Sequence, residues 1–94
     1  MVTFLMFGKY SPDALKGMSP ERTASAVGLV KKFGGEVQSM HATLGAHDLV
    51  LIVSLPGNEE AMKVSVALGQ LTGIAFSTAP AVPVEAFDRL MAEI

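Results

Sequence analysis

The residues best suited to chemistry gather in the middle of the chain, where Ser39-Met40-His41-Ala42-Thr43-Leu44-Gly45-Ala46-His47-Asp48 holds both histidines of the protein. A neutral imidazole can act as a general base or as a ligand-binding group near neutral pH. On strand alternation Ser39, His41 and Thr43 share one face, so His41 is the candidate catalytic group, with a wet edge-strand residue as the plainer reading. His47 and Asp48 would form a hydrogen-bonded pair at the mouth of the same cleft. Turn chemistry accounts for Gly45 and Asp48 equally well, because glycine permits positive φ and an Asp side chain bonds local amides. Lys9 and Tyr10 follow the first strand, where they can meet a polar or anionic ligand. The candidate ligand-binding set is therefore Tyr10, Ser39, His41, Thr43, His47 and Asp48.

A metal site would need His41, His47 and Asp48 to converge, and their spacing across a hairpin does not specify that, so no metal is predicted. With no cysteine in the chain, thiolate ligation, disulfides and cysteine nucleophiles are excluded. The glycines do not fall into a phosphate-loop or dinucleotide pattern, and no serine sits in a nucleophile elbow. No cofactor is predicted.

These groups must be positioned by a small fold. Residues 1–94 have room for one hydrophobic core, read as one domain. Half of the residues are hydrophobic and only 17% are charged, against about 25% charged in an ordinary soluble domain. Such a chain can offset its ordering entropy by burial, which excludes disorder. The net charge of −2 and the thin scatter of Lys9, Lys16, Arg22, Lys31 and Lys32 exclude a phosphate-binding stripe, so nucleic acid is not an expected partner. The longest strictly apolar run, Leu49 to Val53, is far shorter than the roughly 20 residues of a spanning helix. The first residues lack a basic segment and a small-residue cleavage site, so no membrane association and a cytoplasmic location are expected.

Glycine and proline divide the chain into elements. Val2 to Phe7 reads as a strand with two apolar faces, followed by a loop from Gly8 to Asp13 and a helical turn through Leu15. Ser19-Pro20-Glu21 is a helix start with cap, first-turn proline and an acid at the positive dipole end. That helix runs to Phe33, with Ala26, Val27, Val30 and Phe33 inward, and Gly34-Gly35 ends it. Glu36 to Leu44 is a moderately apolar strand, and Leu49 to Leu55 is an uncharged one that pairs with it as an antiparallel hairpin. Asn58 is the expected cap of a third helical segment whose inward stripe is Ala61, Val64, Leu68 and Leu71. Gly73 ends it, Ile74 to Ala79 is the fourth strand, and a last helix begins at Val84 after the Pro80 to Pro83 bend.

The order βαββαβ plus a C-terminal helix is the split βαβ, or ferredoxin-like, arrangement: an α+β fold with two helices on one face of a four-stranded antiparallel sheet in the order 4-1-3-2. The first and third strands should be central, and they are the two most apolar. The second sheet face is then apolar too, which predicts a homodimer or higher oligomer packed sheet to sheet.

The segments Gly8-Lys9-Tyr10-Ser11-Pro12, Gly34-Gly35 and Thr43-Leu44-Gly45-Ala46-His47-Asp48, followed by an apolar strand and Pro56, resemble the GYD domain family of small bacterial proteins over nearly the whole length. Gly45 and Asp48 match that family's Gly-Tyr-Asp signature in spaced form, with His47 where the tyrosine is usual. The resemblance implies a ferredoxin-like protein that assembles as a dimeric α/β barrel, and it implies no activity. Together these readings predict an uncharacterised homo-oligomeric protein that binds a small apolar molecule or serves in assembly. The alternative is a cofactor-independent monooxygenase or isomerase using His41 with Tyr10 or Asp48 on the open sheet face. A purely structural oligomer is the third reading.

Overall fold

The computed structural model describes residues 1–94. Four strands, β1 (Val2–Tyr10), β2 (Glu36–Ala42), β3 (Leu49–Leu55) and β4 (Ile74–Ala81), form one antiparallel sheet in the order β2-β3-β1-β4. This is the expected order read from the other edge. The two most apolar strands, β1 and β3, are the central pair. Helices α2 (Pro20–Lys32) and α3 (Asn58–Thr72) pack on one face, and α1 (Pro12–Lys16) and α4 (Val84–Met91) complete the chain. The fold is ferredoxin-like α+β.

One sheet face and two helix stripes make the core. Phe4 and Met6 from β1, Leu51, Val53 and Leu55 from β3, Val30 from α2, and Val64 and Leu68 from α3 are buried together. Each such side chain contributes about 1.5–3 kcal/mol relative to an exposed one. The stripe of α3 departs from expectation at its end. Thr72 is buried where Leu71 was expected, and Leu71 is half-exposed. The Thr72 hydroxyl tolerates burial because it donates to the Leu68 carbonyl and accepts from the Ile74 amide, carrying the chain around Gly73 into β4.

Caps at the helix starts differ in kind. Ser19 accepts from the Arg22 amide and Ser11 from the Ala14 amide, each ahead of a proline. The expected cap by Asn58 does not form: Gly57 holds the cap position of α3 without a side-chain bond, and Asn58 is the first helical residue. Gly34 and Gly73, at φ 84° and 75°, close α2 and α3.

Three strand boundaries move. β1 continues through Gly8, Lys9 and Tyr10, which were expected in a loop, because Gly8 pairs with both Leu49 and Phe76 and Tyr10 pairs with Ile74. Gly8 is there for space: a Cβ on it would lie 2.9 Å from the Ile74 side chain and 3.0 Å from that of Phe76. β4 runs on through Pro80 to Ala81, which an edge strand permits because a proline there need not donate to a neighbour. β2 stops at Ala42 and carries a bulge between Val37 and Ser39. The bulge shifts the alternation, so Val37 lies opposite Val53 on the helix side and packs on the core, while Ser39 lies opposite Ile52 on the other face.

Candidate functional site

The strand register lays out the uncovered face in rows. His41, Val50, Phe7 and Ser77 lie side by side across β2, β3, β1 and β4, and Ser39, Ile52, Leu5 and Ala79 form the next row. Leu5, Phe7, Val50 and Ile52 make a half-buried apolar centre that no helix of the chain covers. Its β2 side is polar, with Gln38 of the bulge donating to the Ser54 hydroxyl. Its β4 side is built of Ala75, Ser77, Ala79 and Ala81, small residues that allow close approach.

The six sequence-derived candidates divide between three places. Ser39 and His41 stand on the open face as expected. Tyr10 points to the opposite, helix-covered side, in register with Ile74. Thr43, His47 and Asp48 build the β2–β3 connection. The Thr43 amide donates to the Asp48 carbonyl at 2.9 Å and its hydroxyl to the His47 carbonyl at 2.7 Å. Asp48 ties this turn to the central strand: its amide donates to the Gly8 carbonyl at 2.8 Å, and its carboxylate accepts from the Tyr10 amide at 2.9 Å. The His47 ring lies against Phe7 with centroids 4.9 Å apart, away from the expected pairing with the Asp48 carboxylate. Thr43 lies one residue past the end of β2. No three His, Asp or Glu side chains converge in the fold.

A recess on the other side of the sheet was not anticipated. A cleft of about 450 Å³ opens between the start of α2, the end of α3 and the sheet. Leu49, Leu51, Leu68, Ile74 and Phe76 form its apolar wall, Met18 and Met40 close it laterally, and Ser19, Arg22 and Thr23 bring polar groups to it. Of the candidates, Tyr10 alone lines it. Arg22 is its one charged residue, and the guanidinium donates to the Ala14 carbonyl. In sequence the signal was present only as an arginine three residues past a helix cap, with one methionine, Met18, close by.

A second unpartnered surface is α4. None of its residues is buried. Val84, Phe87, Leu90, Met91 and the following Ile94 fall on one side of the helix, and Glu85, Asp88 and Arg89 on the other. Val84 is 73% and Ile94 93% exposed.

A four-stranded sheet with two helices on one face and an apolar second face defines this as a ferredoxin-like α+β protein. The sequence matches the GYD domain over residues 4–91, and the chain belongs to that family. No curated protein matches it. Among solved structures, the leucine response regulatory protein of Mycobacterium tuberculosis is similar at 10% identity and a TM-score of 0.58, over 87% of this chain and 51% of that one. The chain thus spans about half the length of this neighbour, and the likeness is one of fold.

Proposed function

We propose that this chain is a homodimeric module that packs its open sheet face against a second copy and holds a small, mainly apolar molecule in each subunit. The single observation that carries the assembly is the amount of surface. The chain exposes 6028 Å², whereas a compact monomer of 9.9 kDa exposes roughly 5,200 Å² by the scaling of surface with mass. The excess of about 800 Å² equals what one partner contributes to a standard interface. The radius of gyration of 14.1 Å, against about 12.4 Å for a compact chain of this length, points the same way.

The open face supports the same reading by its chemistry. An apolar centre of Leu5, Phe7, Val50 and Ile52 with polar groups along one margin and small side chains along the other is the usual composition of an interface core and rim. A two-fold axis through it lets one patch meet itself. Ser39 and His41 then face the space between the sheets, as contact groups for the partner or for a molecule held there. The stripe of α4 supplies further apolar area. The ligand-binding half of the reading rests on the 450 Å³ cleft, which is within the range of small-molecule sites and has their mix of apolar wall and few polar groups. The cytoplasm is the proposed compartment, and residues 1–94 act as one unit.

The test is light scattering during gel filtration, on the wild type and on Ile52→Glu. A wild-type dimer that the substitution converts to a folded monomer supports the reading. A wild-type monomer near 9.9 kDa at micromolar concentration ends it.

A further inference from the structure

The cleft under α2 is unusual in its charge. Arg22 is the one ionic group among the residues that line it, and no carboxylate is present there to balance it. Its guanidinium is half-buried and stands over Gly17, where a Cβ would lie 3.0 Å from Nη1, so the missing side chain is what makes room for it. One donor reaches the Ala14 carbonyl. A guanidinium has five N–H donors and no acceptor, and those not bonded to Ala14 are open to solvent, where a ligand can meet them. The Ser19 hydroxyl accepts from the Arg22 amide, which leaves its own proton free to donate toward the same place. An Arg–carboxylate contact satisfies two donors in parallel and is stronger than a neutral hydrogen bond, which gives this cleft a preference for an anionic head group.

We infer that this cleft binds a monocarboxylic acid with an unbranched or aryl apolar tail, its carboxylate on Arg22 and its tail along Leu68, Ile74 and Phe76. This names the ligand class for the binding half of the proposed function and rests on that reading. The volume sets the length. At roughly 30 Å³ per small non-hydrogen group, the share of one water in the liquid, 450 Å³ holds about fifteen such groups, enough for a tail of eight to twelve carbons with its carboxylate. Methionines at the lateral wall, Met18 and Met40, suit a tail of variable length because their side chains adapt in shape.

The experiment is a titration of the intact protein with decanoate and, separately, with 1-decanol, followed by calorimetry and by amide chemical shifts. The expected result is saturable decanoate binding at one per chain, with shifts centred on Thr23, Met40, Leu68 and Ile74, and at least ten-fold weaker binding of decanol. Arg22→Gln should lower decanoate affinity about ten-fold and leave decanol unchanged. Arg22→Lys, which keeps the charge and loses the planar fork, should fall between. Ala26→Phe, which fills the cleft, should abolish both. Equal affinity for decanoate and decanol, or an Arg22→Gln variant that binds decanoate as the wild type does, overturns the carboxylate inference and leaves the ligand reading standing. Binding of neither probe, or shifts confined to Leu5, Val50 and Ile52 on the opposite face, overturns both, with the oligomeric state still decided by scattering.

Discussion

The Asp48 carboxylate accepts a hydrogen bond from the Tyr10 backbone amide at 2.9 Å, across 38 residues of sequence. It completes the pairing of the last residues of β1, which would otherwise present a free amide where β3 has ended. The residue that looks like part of a polar site is therefore a clamp between a turn and the central strand. Bonds to charged groups contribute about 1.5–3 kcal/mol. Asp48→Ala should lower stability by about 2 kcal/mol, discounted toward 1 for partial exposure. Asp48→Asn, which keeps an acceptor oxygen, should recover most of the loss. Urea denaturation of the three proteins checks this, and equal midpoints for all three would contradict it.

Gly8 and Gly45 make a contrasting pair. At Gly8 the backbone is ordinary, but the Ile74, Phe76 and Leu49 side chains crowd the site of a Cβ. At Gly45 there is open space, but φ is 110°. Gly8→Ala should cost about 1–3 kcal/mol through overpacking, with the largest amide shifts on Ile74 and Phe76. Gly45→Ala should cost about 1 kcal/mol through backbone strain alone, with shifts confined to the turn. Core shifts in Gly45→Ala, or none in Gly8→Ala, would show that the two mechanisms are misassigned.

How far the sequence revealed this protein follows from these residues. Element order, central strands and the second apolar face were legible, because hydrophobic period and Gly/Pro punctuation report on burial directly. Gly8 was misread as a breaker because close packing and turn geometry both call for glycine, and the sequence does not say which. The bulge at Gln38 was invisible, since one extra residue looks like any other polar strand position, yet it moves Val37 to the core. The open-face positions of Ser39 and His41 were legible by alternation. The cleft was not, because its walls come from six elements that meet only in the folded chain.

The two helix starts permit a sharper comparison. Ser19 caps α2 through its hydroxyl, and Asn58, an equally good cap residue by type, does not cap α3. Ser19→Ala should cost about 1 kcal/mol, and Asn58→Ala should lie within about 0.5 kcal/mol of the wild type. Thermal melts at matched concentration measure both, and a larger loss from Asn58→Ala would reverse the assignment.

The exposed stripe of α4 gives a prediction that separates folding from assembly. Phe87 and Leu90 lie about half-exposed on a helix with no buried residue, so replacing both by serine removes little from the core of the subunit. If the stripe packs on a second copy, Phe87→Ser with Leu90→Ser should raise the dimer dissociation constant at least ten-fold, since one buried aromatic and one buried leucine are together worth about 3–6 kcal/mol, reduced by incomplete cover. The urea midpoint measured in an Ile52→Glu background, where the subunits are already apart, should move by less than the equivalent of about 0.5 kcal/mol. Sedimentation equilibrium and denaturation together read the two quantities. A large stability loss in the Ile52→Glu background would place the stripe against its own subunit, and an unchanged dissociation constant would leave α4 outside the interface.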